Sequence, residues 1–108
     1  MTARIDLTDR HGQHPEGVRD YAREKVTKLT RYFDGVHHIE IILDKQHDEH
    51  STEIIVTANH HMKFVGKLSD ESAMASIDGA LDKVERQIVK AKERLRDHHR
   101  GVSPTKPS

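Results

Sequence analysis

Residues 39–68, IEIILDKQHDEHSTEIIVTANHHMKFVGKL, decide the fold. Ile39, Ile41 and Leu43 fall on one side of an extended chain, while His38, Glu40, Ile42 and Asp44 fall on the other. That period of two is the mark of a strand with one buried face. The polar run Lys45–Ser51 reads as a hairpin loop. Ile54, Val56 and Ala58 then resume the alternation, Asn59–His61 supply a turn, and Phe64, Gly66 and Leu68 make a further strand. Three short strands with short links imply an antiparallel meander.

Moving outward toward the C-terminus, the apolar positions Met74, Ile77, Leu81, Val84, Ile88, Ala91 and Leu95 step by three and four. This predicts an amphipathic helix capped by Ser69 or Asp70 and running to about Asp97. Toward the N-terminus, Val18, Ala22, Val26, Leu29 and Phe33 predict a first helix from Pro15, with Gly35 as its stop. Ile5 and Leu7, alternating with Arg4, Asp6 and Thr8, add a short strand closed by turn residues from Asp9 to His14. The order β-α-β-β-β-α packs most economically as an α+β two-layer sandwich, with two helices on one face of a four-stranded sheet. One domain is expected over residues 1–100, followed by a disordered tail at 101–108 that holds two of the three prolines.

Lysine plus arginine equals aspartate plus glutamate, 18 each, so global charge is silent about partners. Its distribution is not. From Lys83 to Arg100 seven basic residues face three acidic ones, a local net of +4, whereas from Asp34 to Glu53 six acidic residues face Lys45 alone, a net of −5. A dipolar chain of this kind can present a basic face while staying neutral overall. On the second helix Lys83, Arg86, Lys90 and Arg94 fall on a stripe roughly opposite the apolar one. The first helix adds Arg19, Arg23, Lys25, Lys28 and Arg31, with Lys25 and Lys28 along an edge beside Tyr21 and Tyr32. If the helices lie side by side, their basic edges make one surface matched to a phosphate backbone. A plain solvated face is the competing reading. Against it, Arg86 with Lys90, Lys90 with Arg94 and Lys92 with Arg96 are like-charge neighbours at i, i+4, each costing roughly a few tenths of a kcal/mol, and Asp82 to Arg86 is the one favourable acid-to-base pair at that spacing between Asp78 and Asp97.

Several function classes fall away. Cysteine is absent, which excludes disulfides, thiol catalysis and cysteine-ligated metals, and fits a reducing compartment. No leader-like N-terminus and no membrane span is legible, so a cytoplasmic location is expected. Asp6, Asp44 and Glu53 have no nucleophile pattern beside them, and neither Gly-x-Ser-x-Gly nor a phosphate loop occurs, so no catalytic residue, cofactor or small-molecule substrate is expected. Ten histidines raise the question of metal. Adjacent pairs such as His37 with His38 and His60 with His61 point to opposite faces of a strand, and the His-x-x-His spacings at 11 and 14 and at 47 and 50 lie outside long helices, so no metal site is expected.

With these elements placed, the chain resembles the ribosome hibernation-promoting factor family, the ribosome-associated inhibitors also called protein Y, in its short form. The resemblance rests on IDLTDRH at 5–11, VRDYAREKVTKLTRYFD at 18–34 and IDGALDKVERQIVKAKERL at 77–95, and spans about residues 3–97. Its specific parts are the Lys-x-x-Lys-Leu-x-x-Tyr-Phe end of the first helix and the Arg-Gln-x-x-Lys run of the second; Thr8-Asp9 and Ser72-Ala73-Met74 depart from the common pattern. The resemblance implies a monomer that seats on the small ribosomal subunit, in the channel of messenger and transfer RNA, and silences translation sterically, as under stress or in stationary phase. It implies ribosomal RNA contacts at Lys25, Lys28 and Arg31 and at Lys83, Arg86, Lys90, Lys92 and Arg94. A generic double-stranded RNA-binding module, or less readily a histidine-based metal protein, are the alternatives.

Overall fold

A computed structural model describes residues 3–12, 14–33 and 35–99, with side chains for all of these except 32 and 95–99. The chain order is β1 (Arg4–Asp9), α1 (Glu16–Thr27), α2 (Leu29–Tyr32), β2 (Val36–Gln46), β3 (Glu49–Ala58), β4 (Met62–Asp70) and α3 (Ala73–His99). The domain limit at 100 and the tail at 101–108 lie outside the described residues.

The strands form one mixed sheet in the order β1-β2-β3-β4. β1 runs parallel to β2, with Ile5 opposite Ile39 and Leu7 opposite Ile41, because the helical crossover between them returns the chain to its starting end. β2, β3 and β4 form the antiparallel meander, with Ile41 opposite Ile54 and Val56 opposite Phe64. All helices lie on one face, as the alternation requires: Ala22, Val26 and Leu29, the inward residues of β2 and β3, and Ile77, Ala80, Val84 and Ile88 join in one buried cluster. Phe33 meets Phe64 edge to face at 5.9 Å and ties α2 to β4. Each fully buried Ile or Leu contributes about 1.5–3 kcal/mol relative to exposure. The other sheet face stays open, and Val65 is 41% exposed there.

Four local expectations change. The hairpin loop shrinks from Lys45–Ser51 to His47 and Asp48, since Lys45–Gln46 pair with His50–Glu49 in the ladder; His47 takes a φ of 60°, the left-handed form that a tight hairpin needs. The first helix does not run unbroken to Gly35. Thr27 Oγ1 donates to the Arg23 carbonyl at 2.7 Å and Thr30 Oγ1 to the Thr27 carbonyl at 2.8 Å, and the Lys28 N–H reaches back three residues to Lys25, so the turn tightens between α1 and α2. The cap of α3 is neither Ser69 nor Asp70, both of which belong to β4. Ser72 Oγ accepts the Ala75 N–H at 3.2 Å, and Asp70 Oδ1 accepts that of Ser72 at 2.9 Å. Met74, in the first turn, is 41% exposed rather than core.

Gly66 explains how closely α3 approaches the sheet. A Cβ there would collide with the Ala80 carbonyl and with Val84, so only glycine lets the helix settle onto β4.

Candidate nucleic-acid interface

Helix α3 is held to the β4 edge by its own polar side chains. Gln87 Oε1 accepts the Val65 N–H at 3.0 Å and its Nε2 donates to the Val65 carbonyl at 2.7 Å. One turn earlier, Lys83 Nζ donates to the Lys67 carbonyl at 2.9 Å. These bonds satisfy edge-strand groups that would otherwise be open for pairing. They also fix the rotation of α3: the flank carrying Lys83, Lys90 and Arg94 faces β4. Arg86 sits on the crest, paired with Asp82 at 3.1 Å.

The opposite flank of α3 meets α1. Tyr21 Oη donates to Asp78 Oδ1 at 2.7 Å, and Glu85 and Lys92 follow along the same flank, beside Ile88 and Val89. The bond to Asp78, with burial and the Asp78 charge behind it, pushes the Tyr21 phenol above its ordinary range, so it stays a donor. Lys25 extends over the Tyr21 ring, its Nζ 5.3 Å from the centroid, as its amphipathic stem favours. Lys28 and Arg31 continue from it around a shallow depression that also holds Glu24.

The structure therefore brings the eight basic residues together as two patches rather than one. Lys25, Lys28 and Arg31 form the first, on α1 and α2. Lys83, Lys90 and Arg94 form the second, on the far flank of α3, with Arg86 on the crest and Lys92 on the near flank. Between the patches stand Asp78, Asp82 and Glu85. Side-by-side packing alone does not merge the basic edges, because the flank of α3 that turns toward α1 is its more acidic one.

Two features lay outside the reach of sequence reasoning. Lys63, on β4, lines a groove with Lys90 and Arg94. Period two marks Lys63 as surface, yet only the placement of β4 beneath α3 makes it their neighbour. The second is a polar chain near the β2–β3 hairpin. His14 Nδ1 bonds Asp9 Oδ1 at 2.9 Å, its backbone N–H donates to Asp9 Oδ2 at 2.9 Å, and its Nε2 bonds His50 Nδ1 at 3.0 Å. Spacing pairs His11 with His14 and His47 with His50; the fold pairs His14 with His50. Burial by itself raises Asp9, but the ring and backbone hydrogen bonds of His14 together with the charges of His14 and Arg19 prevail and hold its carboxyl below the usual range. Burial, with His14 and Lys45 nearby, lowers His50. On the open sheet face Asp6 is lowered chiefly by its hydrogen bond to His38, at 2.8 Å. Among the described residues no three His, Asp or Glu side chains are grouped to hold a metal ion, and no helix is long and apolar enough to cross a membrane.

Fold and surface together define a small α+β domain that displays cations on the flanks of its helices. Residues 5–96 match the family described as Sigma 54 modulation protein / S30EA ribosomal protein, and the chain belongs to that family. Its relatives include the ribosome hibernation promoting factor of Escherichia coli K12, 26% identical over 94 residues, 87% of this chain and 98% of that protein. The protein of the same name from Azotobacter vinelandii is 28% identical over 100 residues, covering 93% and 86% of the two chains. Among solved structures, the Thermus thermophilus protein Y N-terminal domain superposes with a TM-score of 0.69 at 26% identity, covering 82% of this chain and 96% of that one. A ribosomal subunit interface protein from Coxiella burnetii gives 0.75 at 17% identity, covering 83% and 98%, a likeness of fold.

Proposed function

We propose that this protein is a cytoplasmic ribosome hibernation factor: it binds small-subunit ribosomal RNA as a monomer, occupies the messenger and transfer RNA channel, and so blocks translation under stress or in stationary phase. The observation that carries the reading is the pair of cationic patches displayed on a rigid helical layer, in a chain of the hibernation-factor family. Lys28, Arg31, Lys90 and Arg94 form no ion pair among the described residues, so their charge is available to phosphates. Arg86 exchanges its Asp82 partner for a phosphate at little expense, exposed i, i+4 pairs being worth about 0.3–0.5 kcal/mol. Lys25, Lys83 and Lys92 complete the contact set. The domain limit at about residue 100 is part of the proposal, with 101–108 dispensable for binding.

The two-patch layout supports the channel reading over a generic duplex module. Basic groups on two sides of a crest suit a cleft with RNA on both walls better than a single duplex face. The test is order of addition in cell-free translation. Protein added before messenger and transfer RNA inhibits; protein added to assembled initiation complexes does not. Inhibition independent of order refutes the steric mechanism, and equal affinity for free RNA duplex and for small subunits favours the generic module.

A further inference from the structure

The groove between β4 and α3 holds three cations from two elements that the sequence separates widely. Lys63 of β4 joins Lys90 and Arg94 of α3 around a space of about 300 Å³. No acidic side chain lines it, and none of the three cations has a hydrogen bond or ion pair among the described residues. The α1–α2 depression, by contrast, includes Glu24. Lys90 and Arg94, four residues apart on one helix, repel each other, and Lys63 adds a third like charge. An anion seated among them removes that repulsion and gains three charge-assisted bonds.

The rest of the lining narrows the anion's chemistry. Met62, Phe64 and Ala91 give the groove an apolar wall. Phe64 and Ala91 are buried beneath it, 6% and 8% exposed, so this wall is part of the core and does not collapse inward. The Gln87 clamp on Val65 holds the two sides of the groove at fixed separation. Cations beside a firm apolar surface suit a phosphate that arrives with its own ribose and base, the pairing by which unpaired strands are gripped. Phosphates of a regular duplex ride on its outer ridges, with their bases turned away into the stack.

We propose that this groove grips one nucleotide of an unpaired RNA strand, its phosphate held by Lys63, Lys90 and Arg94 and its ribose or base laid against Met62. Lys63 is thereby a binding residue, and the α3 contact is to irregular or single-stranded RNA. The proposal rests on the ribosomal RNA reading for the identity of the strand, but the groove is tested without a ribosome.

Amide chemical shifts of the full chain are followed while a single-stranded U12 RNA is added at low salt, with a 12-base-pair RNA duplex as the comparison. U12 shifts the amides of Met62, Lys63, Lys90 and Arg94 most, and the duplex shifts them less. Binding of each variant to purified small subunits is then measured across salt concentrations. Lys63→Gln lowers the slope of log affinity against log salt by roughly 0.7–0.9, one lost phosphate contact, and Lys67→Gln, equally exposed on the same strand, leaves it unchanged. A Lys63→Gln slope equal to wild type, or a duplex response at the groove matching that of U12, overturns the groove proposal while leaving hibernation activity standing. Wild-type protein that shifts with U12 but ignores small subunits leaves the groove standing and removes its ribosomal assignment.

Discussion

At the hairpin end of the sheet, charges are spent on one another. Asp9 and His14 have side chains 7% and 3% exposed and bond twice, His14 passes its other ring nitrogen to His50, and Arg19 reaches both the His14 carbonyl, at 3.1 Å, and Asp9, at 3.8 Å. Along the β4–α3 flank the opposite holds: Lys63, Lys90 and Arg94 share a groove, and no acid answers them there. Both regions are rich in titratable residues, so composition does not separate them. What separates them is whether each charge already has its partner within the chain. Buried, reciprocally bonded groups hold structure; exposed like charges kept together by packing are ready to take a ligand from outside.

The contrast breaks most readily at Asp9. Asp9→Ala leaves the His14 ring and backbone N–H without their partner in a buried place, and lowers unfolding free energy by about 1–3 kcal/mol. Lys90→Gln and Arg94→Gln, on the other side of the comparison, each stay within about 0.5 kcal/mol of wild type. Urea unfolding of the three variants measures this directly, and an Asp9 variant as neutral as the surface ones would remove the structural role given to the hairpin end.

Acidification acts on the same contrast in two smaller steps. His50 is lowered in the fold, so the unfolded chain takes up its proton first; stability begins to fall below the ordinary value of 6.5 and this loss is complete below the lowered folded value. Asp9 is also lowered, but as an acid: its contribution is full above the ordinary 3.8 and disappears as pH drops through the folded value. Urea midpoints recorded from pH 7.5 down to pH 3 show both steps, and His50→Gln flattens the upper one alone. An upper step that persists unchanged in His50→Gln assigns it to another of the histidines.

A smaller loss than at Asp9 is expected at Lys83, which stands on the border of the two categories because its ammonium already serves the Lys67 carbonyl. Lys83→Gln reduces stability by about 0.5–1 kcal/mol, the worth of an exposed hydrogen bond, and weakens small-subunit binding less than Lys90→Gln does. The reverse order in binding assays would mean that Lys83 leaves the β4 edge when RNA arrives.

Much of the architecture was legible in the residues because it repeats. The three-and-four stepping from Ile77 to Ala91 and the alternation at Ile39, Ile41 and Leu43 are statements about one face of one element, and burial follows them residue for residue. The misses occur where periodicity ends. Lys45–Gln46 and Glu49–Ser51 look like loop because they are polar, yet they pair through their backbones, a bond that hydropathy does not record. The tightening at Lys28 comes from threonine hydroxyls competing for helix carbonyls.

The sequence by itself determined the element order, the inward face of each element and which residues are cationic and outward, since each depends on neighbours within a few positions along the chain. Only the tertiary structure decided the parallel pairing of β1 with β2, the division of the basic residues into two patches, the meeting of His14 with His50 and the arrival of Lys63 beside Lys90 and Arg94. Each of those joins residues that the chain separates by more than twenty positions, and the last of them is set by the rotation of α3 against β4, which Gln87, Lys83 and the missing side chain of Gly66 fix together.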